Sequence, residues 1–306
     1  MPKVITAQEA EAILSQGGEP PAGAILTPSA RDVFAGRTRL GGRAPAAPAP
    51  AAKPAGPTVP DYEFKWTPGS DPKSAAEIEK FFHSGPIEAL KAKICGIGRR
   101  IWEKDYVDGN GGNIVVRVGD NLALCTPTLI SKGFMAPADI CLIDLDGKQL
   151  AGERKRTSEA MTHLGIMKRQ PKAKACVHAH PPTATGYAVC GLQPPSSMIP
   201  EMEIFIGQVG VAPYVTPGTH AMGEAIAKEA LQHNTILMSN HGVVSWGFGV
   251  EDAYFKMEIL EAYCKTVLVA TQLGQLGHAP NTIPSAQMDE LMAIKQTLGI
   301  PDPRLP

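Results

Sequence analysis

A proline- and alanine-rich segment divides this chain of 306 residues into two parts. Residues 43–57 read RAPAAPAPAAKPAGP, and no apolar face recurs in them. Proline fixes φ and lacks the backbone N–H that a helix or a sheet uses, so this segment favours an extended, semi-rigid spacer. We therefore predict a short head at residues 1–36, a linker at residues 37–60 and a main body at residues 61–306.

The head contains two short segments with helical spacing. Thr6 and Glu9 form a capping box before the first segment, whose apolar face consists of Ala10, Ile13 and Leu14. Thr27 and Pro28 favour a helix start before the second segment, whose apolar side carries Ala30, Val33 and Phe34. Helices this short do not bury an apolar face alone, so we expect them to pack against the body or against another protein.

The body alternates between helical and strand patterns. Helices are predicted at residues 75–82, 86–106, 159–168, 221–231 and 250–273. Strands are predicted at residues 114–118, 122–125, 140–144, 175–180, 212–214, 235–238 and 243–246. This alternation indicates an α/β fold in which helices pack around one central sheet.

Composition and charge exclude several classes of protein. The net charge of −1 differs from the basic surplus of nucleic-acid-binding proteins. No apolar run approaches the roughly 18 residues of a membrane span, and no basic and apolar leader predicts secretion. The six cysteines form no CxxC pair, which favours free, buried thiols in a reducing compartment. We therefore expect a cytoplasmic protein with no nucleic-acid or membrane partner.

Three histidines suggest a metal site. His178 and His180 end an apolar run as VHAH, and the period of two in a strand turns both imidazoles to one face. His241 lies between two apolar runs, where it is either a core histidine bonded to backbone or a third ligand. Three protein ligands with an open fourth position are typical of catalytic zinc, so we predict that these residues bind Zn2+ or another divalent metal.

The segment RTSEA at residues 156–160 opens the helix that precedes the HAH strand. Thr157 and Ser158 are suited to cap that helix, and hydroxyls with free N–H groups at a helix start also bind anions. Glu159 falls in the first turn, where the helix dipole stabilises a carboxylate. Capping alone accounts for this pattern, so it does not by itself require a catalytic glutamate.

A turn rich in glycine and asparagine, DGNGGN, occupies residues 108–113 before the first strand of the body. Such a turn lets backbone N–H groups converge on a phosphate. A tight turn without a ligand has the same composition, and the sequence leaves both interpretations open.

Together these motifs resemble the class II aldolase/adducin family, which L-fuculose-phosphate aldolase typifies. The matching stretches are GNGGNIVV, CTPT, TSEAMTHLGIM, VHAH, APYVTPGT and NHGVVSWG, in family order over about residues 87–270. The resemblance implies a three-layer α/β/α body with a central mixed, largely antiparallel sheet. It also implies a cyclic homotetramer with active sites between subunits.

The resemblance also implies roles for single residues. His178, His180 and His241 match the metal ligands, and Glu159 matches the acidic residue that handles protons beside the metal. The positions that match phosphate contacts, or the polar residues close to them, are Asn110, Asn113, Thr128, Thr157 and Ser158.

The chain departs from the family pattern at two places. Leu129 stands where relatives often have glycine beside the phosphate. The stretch PEMEI at residues 200–204 lacks the tyrosine that serves as an acid in fuculose-type enzymes. Glu201 is a candidate for part of that proton transfer, and a structural or solvent-facing glutamate is the alternative.

The function that the resemblance implies is zinc-dependent cleavage of a ketose 1-phosphate. The substrate would be L-fuculose-1-phosphate or L-rhamnulose-1-phosphate, and the products dihydroxyacetone phosphate and lactaldehyde. The alternatives are a ribulose-5-phosphate 4-epimerase using the same retro-aldol step, and a dehydratase acting on a phosphorylated thio-sugar. A non-catalytic, adducin-like interaction module is a further alternative, which the intact histidine trio opposes.

The head resembles the encapsulation peptides that tether cargo inside bacterial microcompartments, whose pathways release volatile aldehydes. This resemblance implies a shell protein as a partner and the interior of a microcompartment as a location. The alternative is an extension that is poorly ordered or that docks on its own tetramer.

Overall fold

The computed structural model describes residues 3–27, 30–31, 33–35, 61–300, 302 and 304. The chain divides into two compact units, Met1–Pro60 and Asp61–Pro306. The predicted linker at residues 37–60 and the predicted helix-start proline, Pro28, lie outside the described residues. The boundary between the two units falls between residues 60 and 61, where the predicted linker ends. Within these described ranges, no helix combines the length and the apolar character needed to cross a bilayer.

The first unit has a small core of its own. Strand β1 (Val4–Ile5) pairs in parallel with β2 (Ile25–Leu26), and helix α1 (Ala7–Ser15) lies between them in the chain. The predicted capping box forms, since Thr6 accepts a hydrogen bond from the Glu9 N–H. The fully buried residues are Ile5, Ala10 and Ala30, with Ile13, Val33 and Phe34 packed against them. The two predicted amphipathic segments therefore bury their apolar faces together.

The second unit contains seven helices and eight strands within its described residues. The helices are α2 (Ala75–Phe82), α3 (Gly85–Glu103), α4 (Ala160–Arg169), α5 (Pro182–Cys190), α6 (His220–Glu229), α7 (Val250–Gly274) and α8 (Ser285–Thr297). The strands are β3 (Asn113–Arg117), β4 (Leu122–Cys125), β5 (Cys141–Asp144), β6 (Gln149–Ala151), β7 (Ala175–Ala179), β8 (Gly210–Ala212), β9 (Thr235–Met238) and β10 (Gly242–Gly247). A π-helical turn spans Met202–Ile206.

The eight strands form one sheet in the order β6-β5-β4-β3-β7-β10-β9-β8. All neighbouring pairs are antiparallel except β8 and β9, which run in parallel. This confirms the predicted mixed, largely antiparallel sheet. The central strand β7 lies between β3 and β10, and it is the strand that carries the HAH motif.

Alternate residues of the strands enter two separate cores on the two faces of the sheet. One core combines Ile114, Val177 and Val243 with apolar side chains of α3, α5 and α7. The other combines Cys176 and Val244 with apolar side chains of α4 and α6. Because neighbouring residues of a strand point to opposite faces, this arrangement gives the predicted three layers.

Helices α4 and α6 approach each other closely at two glycines. A Cβ added at Gly165 would lie 3.0 Å from the Gly223 carbonyl oxygen, and one added at Gly223 would lie 2.8 Å from the Met161 carbonyl oxygen. Either contact would force the helices apart. The glycines therefore set the position of α4, at whose start Glu159 lies.

The sequence patterns do not predict β6, α5 or α8. Pro181 and Pro182 suggest a break after the HAH motif, yet Pro182 is the first residue of α5. Proline is tolerated there because its missing N–H would have no partner within the helix. Helix α8 is mostly exposed and has no broad apolar stripe. Strand β8 begins two residues before the predicted strand at 212–214.

A buried carboxylate fixes the start of α5. Glu261 of α7 is fully buried and accepts hydrogen bonds from the N–H groups of Thr183, at 3.1 Å, and Ala184, at 2.8 Å. These N–H groups belong to the first turn of α5, which has no partner for them within the helix. Glu261 therefore ties α7 to the segment that directly follows the HAH motif.

We expect Glu261→Ala to lower the free energy of unfolding by about 3 kcal/mol, because two buried N–H groups lose a charged acceptor. Glu261→Gln should cost less, since its amide oxygen still accepts one bond. Urea denaturation measures both effects. Glu103→Ala, at an exposed position, is the control and should stay within about 0.5 kcal/mol of the parent protein. An equal effect of the two alanine substitutions would contradict the capping role of Glu261.

Candidate metal centre and active site

His178 and His180 lie at the end of β7 and turn toward each other. His178 is opposite Asn113 of β3 and Val244 of β10, and His180 directly follows the strand. Their Nε2 atoms are 3.2 Å apart, and their ring centroids are 4.9 Å apart. The period of two in a strand therefore brings both imidazoles to one place, as the HAH spacing predicts.

His241 reaches the same place from the turn between β9 and β10. Asn240 adopts the left-handed conformation with φ of 55°, which reverses the chain there, and its N–H donates to the Ala188 carbonyl of α5. Gly242 follows His241, and a Cβ added at Gly242 would lie 2.6 Å from the His180 ring, so a larger residue would clash with that ring. The ring centroid of His241 is 4.7 Å from that of His178 and 5.3 Å from that of His180.

The hydrogen bonds of the rings define their protonation. His178 donates its Nδ1 proton to the Val243 carbonyl at 2.8 Å, and His180 donates its Nδ1 proton to an Asp108 carboxylate oxygen at 2.8 Å. A neutral imidazole carries one proton, so each Nε2 then bears a lone pair. Burial, with the neighbouring His180 and His241, holds the pKa of His178 well below its usual range. Burial also lowers the pKa of His241 to about 4, together with His180.

Glu159 faces this cluster from the residue before α4. One carboxylate oxygen is 3.6 Å from Nε2 of His178, and the other is 3.9 Å from Nε2 of His241. Burial raises the pKa of Glu159, and the neighbouring His180, Asn113 and Lys132 act in the opposite direction. The oxygen nearest His178 is buried without a hydrogen-bond partner among the described residues. The carboxyl group is thus placed to accept or give a proton beside the imidazoles.

The donor set fits a divalent cation. One ligand atom from each of His178, His180 and His241 lies within 4.8 Å of the other two. The Nε2 atoms of His178 and His180 are 3.2 Å apart, close enough for both to bind one cation once neither carries a proton. Three imidazoles suit zinc and other late divalent metals and leave a position open for substrate.

The residues predicted to bind phosphate differ in solvent exposure and in their hydrogen bonds. Thr157 is buried, and its hydroxyl accepts a hydrogen bond from the Glu159 N–H at 3.2 Å. Ser158 is exposed, whereas Thr128 is half-buried and donates its N–H to the Lys155 carbonyl. Thr157 therefore supports Glu159, and Ser158 and Thr128 are the more accessible hydroxyls.

The two asparagines predicted to bind phosphate also differ in solvent exposure. Asn113 is buried, and its side-chain oxygen is hydrogen-bonded to Nε2 of His163. Asn110 is exposed in the turn that precedes β3, where its carbonyl accepts a hydrogen bond from Lys132 at 3.0 Å. Phosphate contacts by these residues stay a prediction.

Leu129 has a left-handed backbone with φ of 59°, and its side chain is 79% exposed. A β-carbon is disfavoured in this conformation, and glycine adopts it without cost. This explains why a relative would carry glycine here. This chain instead places an exposed apolar side chain there, directly after Thr128.

Glu201 is exposed and directly precedes the π-helical turn Met202–Ile206. No contact recorded for the described residues joins it to the three histidines. Within one subunit the structure therefore does not bring Glu201 to the cluster, and its part in proton transfer stays a prediction.

Three residues near the cluster have no role in the sequence analysis, namely Asp108, Lys132 and His163. Asp108 belongs to the predicted turn, so its nearness to His180 follows only once β3 is paired with β7. His163 is four residues after Glu159, a spacing that places both on one helix face. Burial lowers the pKa of His163 to about 3, which keeps the ring neutral beside Asn113. No pattern in the sequence marks Lys132.

Comparison with known proteins identifies the domain. Residues 92–268, more than half of the chain, match the family model described as Class II Aldolase and Adducin N-terminal domain. A 3-oxo-tetronate 4-phosphate decarboxylase of Haemophilus influenzae is 34% identical over 191 residues, which are 61% of this chain and 90% of that protein. An L-fuculose phosphate aldolase of Methanocaldococcus jannaschii is 36% identical over 177 residues, 58% of this chain and 93% of that protein.

Solved structures share the fold. An L-fuculose 1-phosphate aldolase superposes with a TM-score of 0.61 at 27% identity, covering 69% of this chain and 96% of that chain. A sugar-phosphate aldolase from Thermotoga maritima superposes with a TM-score of 0.53 at 26% identity, covering 62% of this chain and 98% of that chain. The matched chains are covered almost completely, so the head of this chain is additional to the shared fold.

We expect His178→Ala and His241→Ala to abolish tight binding of zinc, because only two imidazoles remain. Asp108→Asn should weaken binding by about 10- to 100-fold, the usual effect of losing the hydrogen-bond partner of a ligand histidine. Titration of chelator-treated protein with zinc measures these affinities. His278→Ala, at an exposed position outside the cluster, is the control. Full zinc binding by His241→Ala would show that the third imidazole is not a ligand.

Proposed function

Because the chain belongs to the class II aldolase and adducin family, we propose that it is a metal-dependent lyase that breaks a carbon–carbon bond in a small phosphorylated sugar. The observation that carries this proposal is the convergence of His178, His180 and His241 with the carboxylate of Glu159. A metal-free interaction module would not need three imidazoles and a carboxylate brought to one place. The cluster therefore supports catalysis over a purely structural role.

His178, His180 and His241 would hold the metal through nitrogen. A zinc ion bound there would supply a Lewis acid for the negative charge that develops on substrate oxygens. Val243 and Asp108 keep the two neighbouring rings in the tautomer that leaves Nε2 free. The protein thus fixes the ligand nitrogens before substrate binds, and this preorganisation lowers the barrier to reaction.

Glu159 would move the proton. When the carbon–carbon bond breaks, the electron pair stays with the carbon beside the carbonyl group, and that carbon must then gain a proton. The Glu159 carboxyl group gives this proton, and in the reverse direction its carboxylate removes it. A raised pKa suits both steps, because the group then exchanges protons closer to neutral pH.

The substrate that we propose first is a ketose 1-phosphate of the L-fuculose or L-rhamnulose type, cleaved to dihydroxyacetone phosphate and lactaldehyde. Several relatives and structural neighbours bear the name of L-fuculose phosphate aldolase. Thr128, Ser158 and the turn at Asn110 would bind the phosphate. Release of the aldehyde also needs a base for a hydroxyl proton, and Glu201 of a neighbouring subunit in a homotetramer is the group we propose for that step.

Decarboxylation of a phosphorylated 3-oxo acid is a second candidate. A relative at 34% identity bears that activity in its name. Loss of carbon dioxide leaves the same electron pair beside a carbonyl but requires no hydroxyl proton to be removed. One proton-transferring group is then sufficient, and Glu159 is the group that the structure brings to the histidines.

Product analysis separates these reactions. The zinc-loaded enzyme is incubated with fuculose, rhamnulose and ribulose phosphates and with a phosphorylated 3-oxo-tetronate. Dihydroxyacetone phosphate with a free aldehyde indicates an aldolase, carbon dioxide a decarboxylase, and an epimeric pentulose phosphate an epimerase. Absence of turnover on all four substrates, with zinc bound, would oppose the proposed function.

We expect Glu159→Gln to bind zinc normally but to lose about 10²- to 10⁴-fold in turnover, because the amide cannot transfer the proton. Zinc titration and initial rates measure the two properties. Glu201→Gln is the matched variant, and its rate tests the proposed base at the subunit boundary. An unchanged rate for Glu159→Gln would remove Glu159 from the mechanism.

We propose that the head attaches the enzyme to the shell of a bacterial microcompartment, with the cytoplasm as the location of unattached enzyme. The head supports this because it is a separate unit before the proline-rich segment and exposes the apolar side chains of Val4 and Ile25. Deletion of residues 1–60 should leave the catalytic rate unchanged and abolish co-purification with shell protein. Shell association that survived the deletion would contradict the proposal.

A further inference from the structure

Lys132 is a buried ammonium group whose partners differ from those of comparable lysines. Four lysines in the described part of the chain are nearly fully buried, namely Lys91, Lys132, Lys256 and Lys295. Three of them pair with a carboxylate at 3.0 Å or closer; those partners are Glu88, Asp252 and Asp302. Among the described residues, Lys132 has no carboxylate within ion-pair distance. A buried ammonium group without a carboxylate partner lowers the stability of the fold. The presence of Lys132 in the interior therefore needs an explanation other than an ion pair.

The hydrogen bonds of Lys132 join two segments at the edge of the site. Its Nζ donates to the Ile130 carbonyl at 2.6 Å and to the Asn110 carbonyl at 3.0 Å. Ile130 follows Thr128 and Leu129, and Asn110 lies in the turn between α3 and β3. The same ammonium group thus bonds to both backbone segments in which substrate contacts are predicted.

The backbone of Lys132 is held firmly by α3. Lys132 begins the short 3₁₀ helix Lys132–Phe134. A Cβ added at Gly98 of α3 would lie 2.7 Å from the Lys132 carbonyl oxygen, and one added at Gly133 would lie 2.5 Å from the Trp102 ring. Both glycines are therefore needed for the close approach. This packing directs the Lys132 side chain inward to the turn.

The turn that Lys132 holds leads to a metal ligand. Within it the Gly111 N–H donates to the Asp108 carbonyl at 2.8 Å. The Asp108 side chain accepts the Nδ1 proton of His180 at 2.8 Å, although that carboxylate is itself largely exposed. An exposed carboxylate orients a ring only if its backbone is fixed, and Lys132 supplies that fixation.

We propose that Lys132 is a positioning residue that holds the turn at residues 108–112 and, through Asp108, the ring of His180 in the orientation that metal binding requires. This inference rests on the metal site of the proposed function. Lys132 makes no direct contact with the three histidines in the described structure, so its effect passes through the turn. Burial lowers the pKa of Lys132 to about 8, and Glu159 acts in the opposite direction, so the side chain stays a donor at neutral pH.

The test is a double-mutant cycle in the full-length protein, with zinc affinity as the readout. Lys132→Met should bind zinc about tenfold more weakly than the parent, toward the lower end of the range for Asp108→Asn. Because both residues act along one path, the double variant should bind no more weakly than Asp108→Asn alone. Lys91→Met, which removes a buried lysine paired with Glu88, is the matched control and should keep the parent affinity.

Two results would overturn the inference. One is a zinc affinity of Lys132→Met equal to that of Lys91→Met, since Lys132 would then serve only to stabilise the fold. The other is an additive loss in the double variant, which would mean that Lys132 does not act through Asp108. If Lys132→Met does not fold, Lys132→Leu replaces it in the same cycle, because leucine also lacks a donor for the Ile130 and Asn110 carbonyls and is a smaller apolar side chain.

The affinity measurement does not depend on the substrate. A failed lyase assay with normal zinc binding would count against the proposed reaction and leave this test intact. Loss of the tenfold effect with an active enzyme would count against Lys132 alone.

Discussion

The close approach of the Nε2 atoms of His178 and His180, at 3.2 Å, is the constraint on which the rest of the site depends. The arrangement arises because β7 lies at the centre of the sheet, with β3 and β10 on either side, and cannot shift without breaking both ladders. The Val243 carbonyl and the Asp108 carboxylate then hold the two Nδ1 protons away from the cluster. A divalent cation bound there would use both Nε2 atoms, and the elements around the cluster hold the imidazoles or the groups that orient them.

The two cores of the body have different relations to this centre. Helices α4 and α6 cover the sheet face toward which His178 points, and the start of α4 brings Glu159 to the rings. Helices α3, α5 and α7 cover the opposite face and act through connections at the ends of the central strands. The turn after α3 carries Asp108, and the Ala188 carbonyl of α5 binds the turn before His241. Both layers thus contribute to one site through short loops.

Much of this could be predicted from the sequence, because the strongest signals are local. The HAH spacing and the apolar run before it determine that two imidazoles share a face, whatever the rest of the fold. The alternation of helix and strand patterns indicated the layers, and the family motifs indicated the topology. The strands of two or three residues, β1, β2, β6 and β8, were not predicted with correct bounds. A segment that short cannot show the alternation of apolar and polar residues that marks a strand. Helix α5 was missed because two prolines suggest a break and not a start.

What the sequence could not show is what depends on distant pairing. Asp108 and His180 are 72 positions apart, and nothing local marks them as partners. The burial of Lys132 is equally hidden, since a lysine between serine and glycine in a loop is normally exposed. Position 129 is a different case: Leu129 has φ of 59°, a conformation that glycine adopts without cost, although the sequence has leucine there. The sequence therefore indicates the three candidate ligands and not the groups that orient them.

The cap that Glu261 places on α5 has a consequence for the entropy of metal capture. It ties the residues directly after the HAH motif to the long helix α7. Because the HAH motif is held by β7 on one side and by α5 on the other, it would lose little conformational entropy when an ion binds. More of the coordination energy would then remain as binding affinity. A bound ion would be released slowly for the same reason, because the segment that follows the HAH motif is tied to α7.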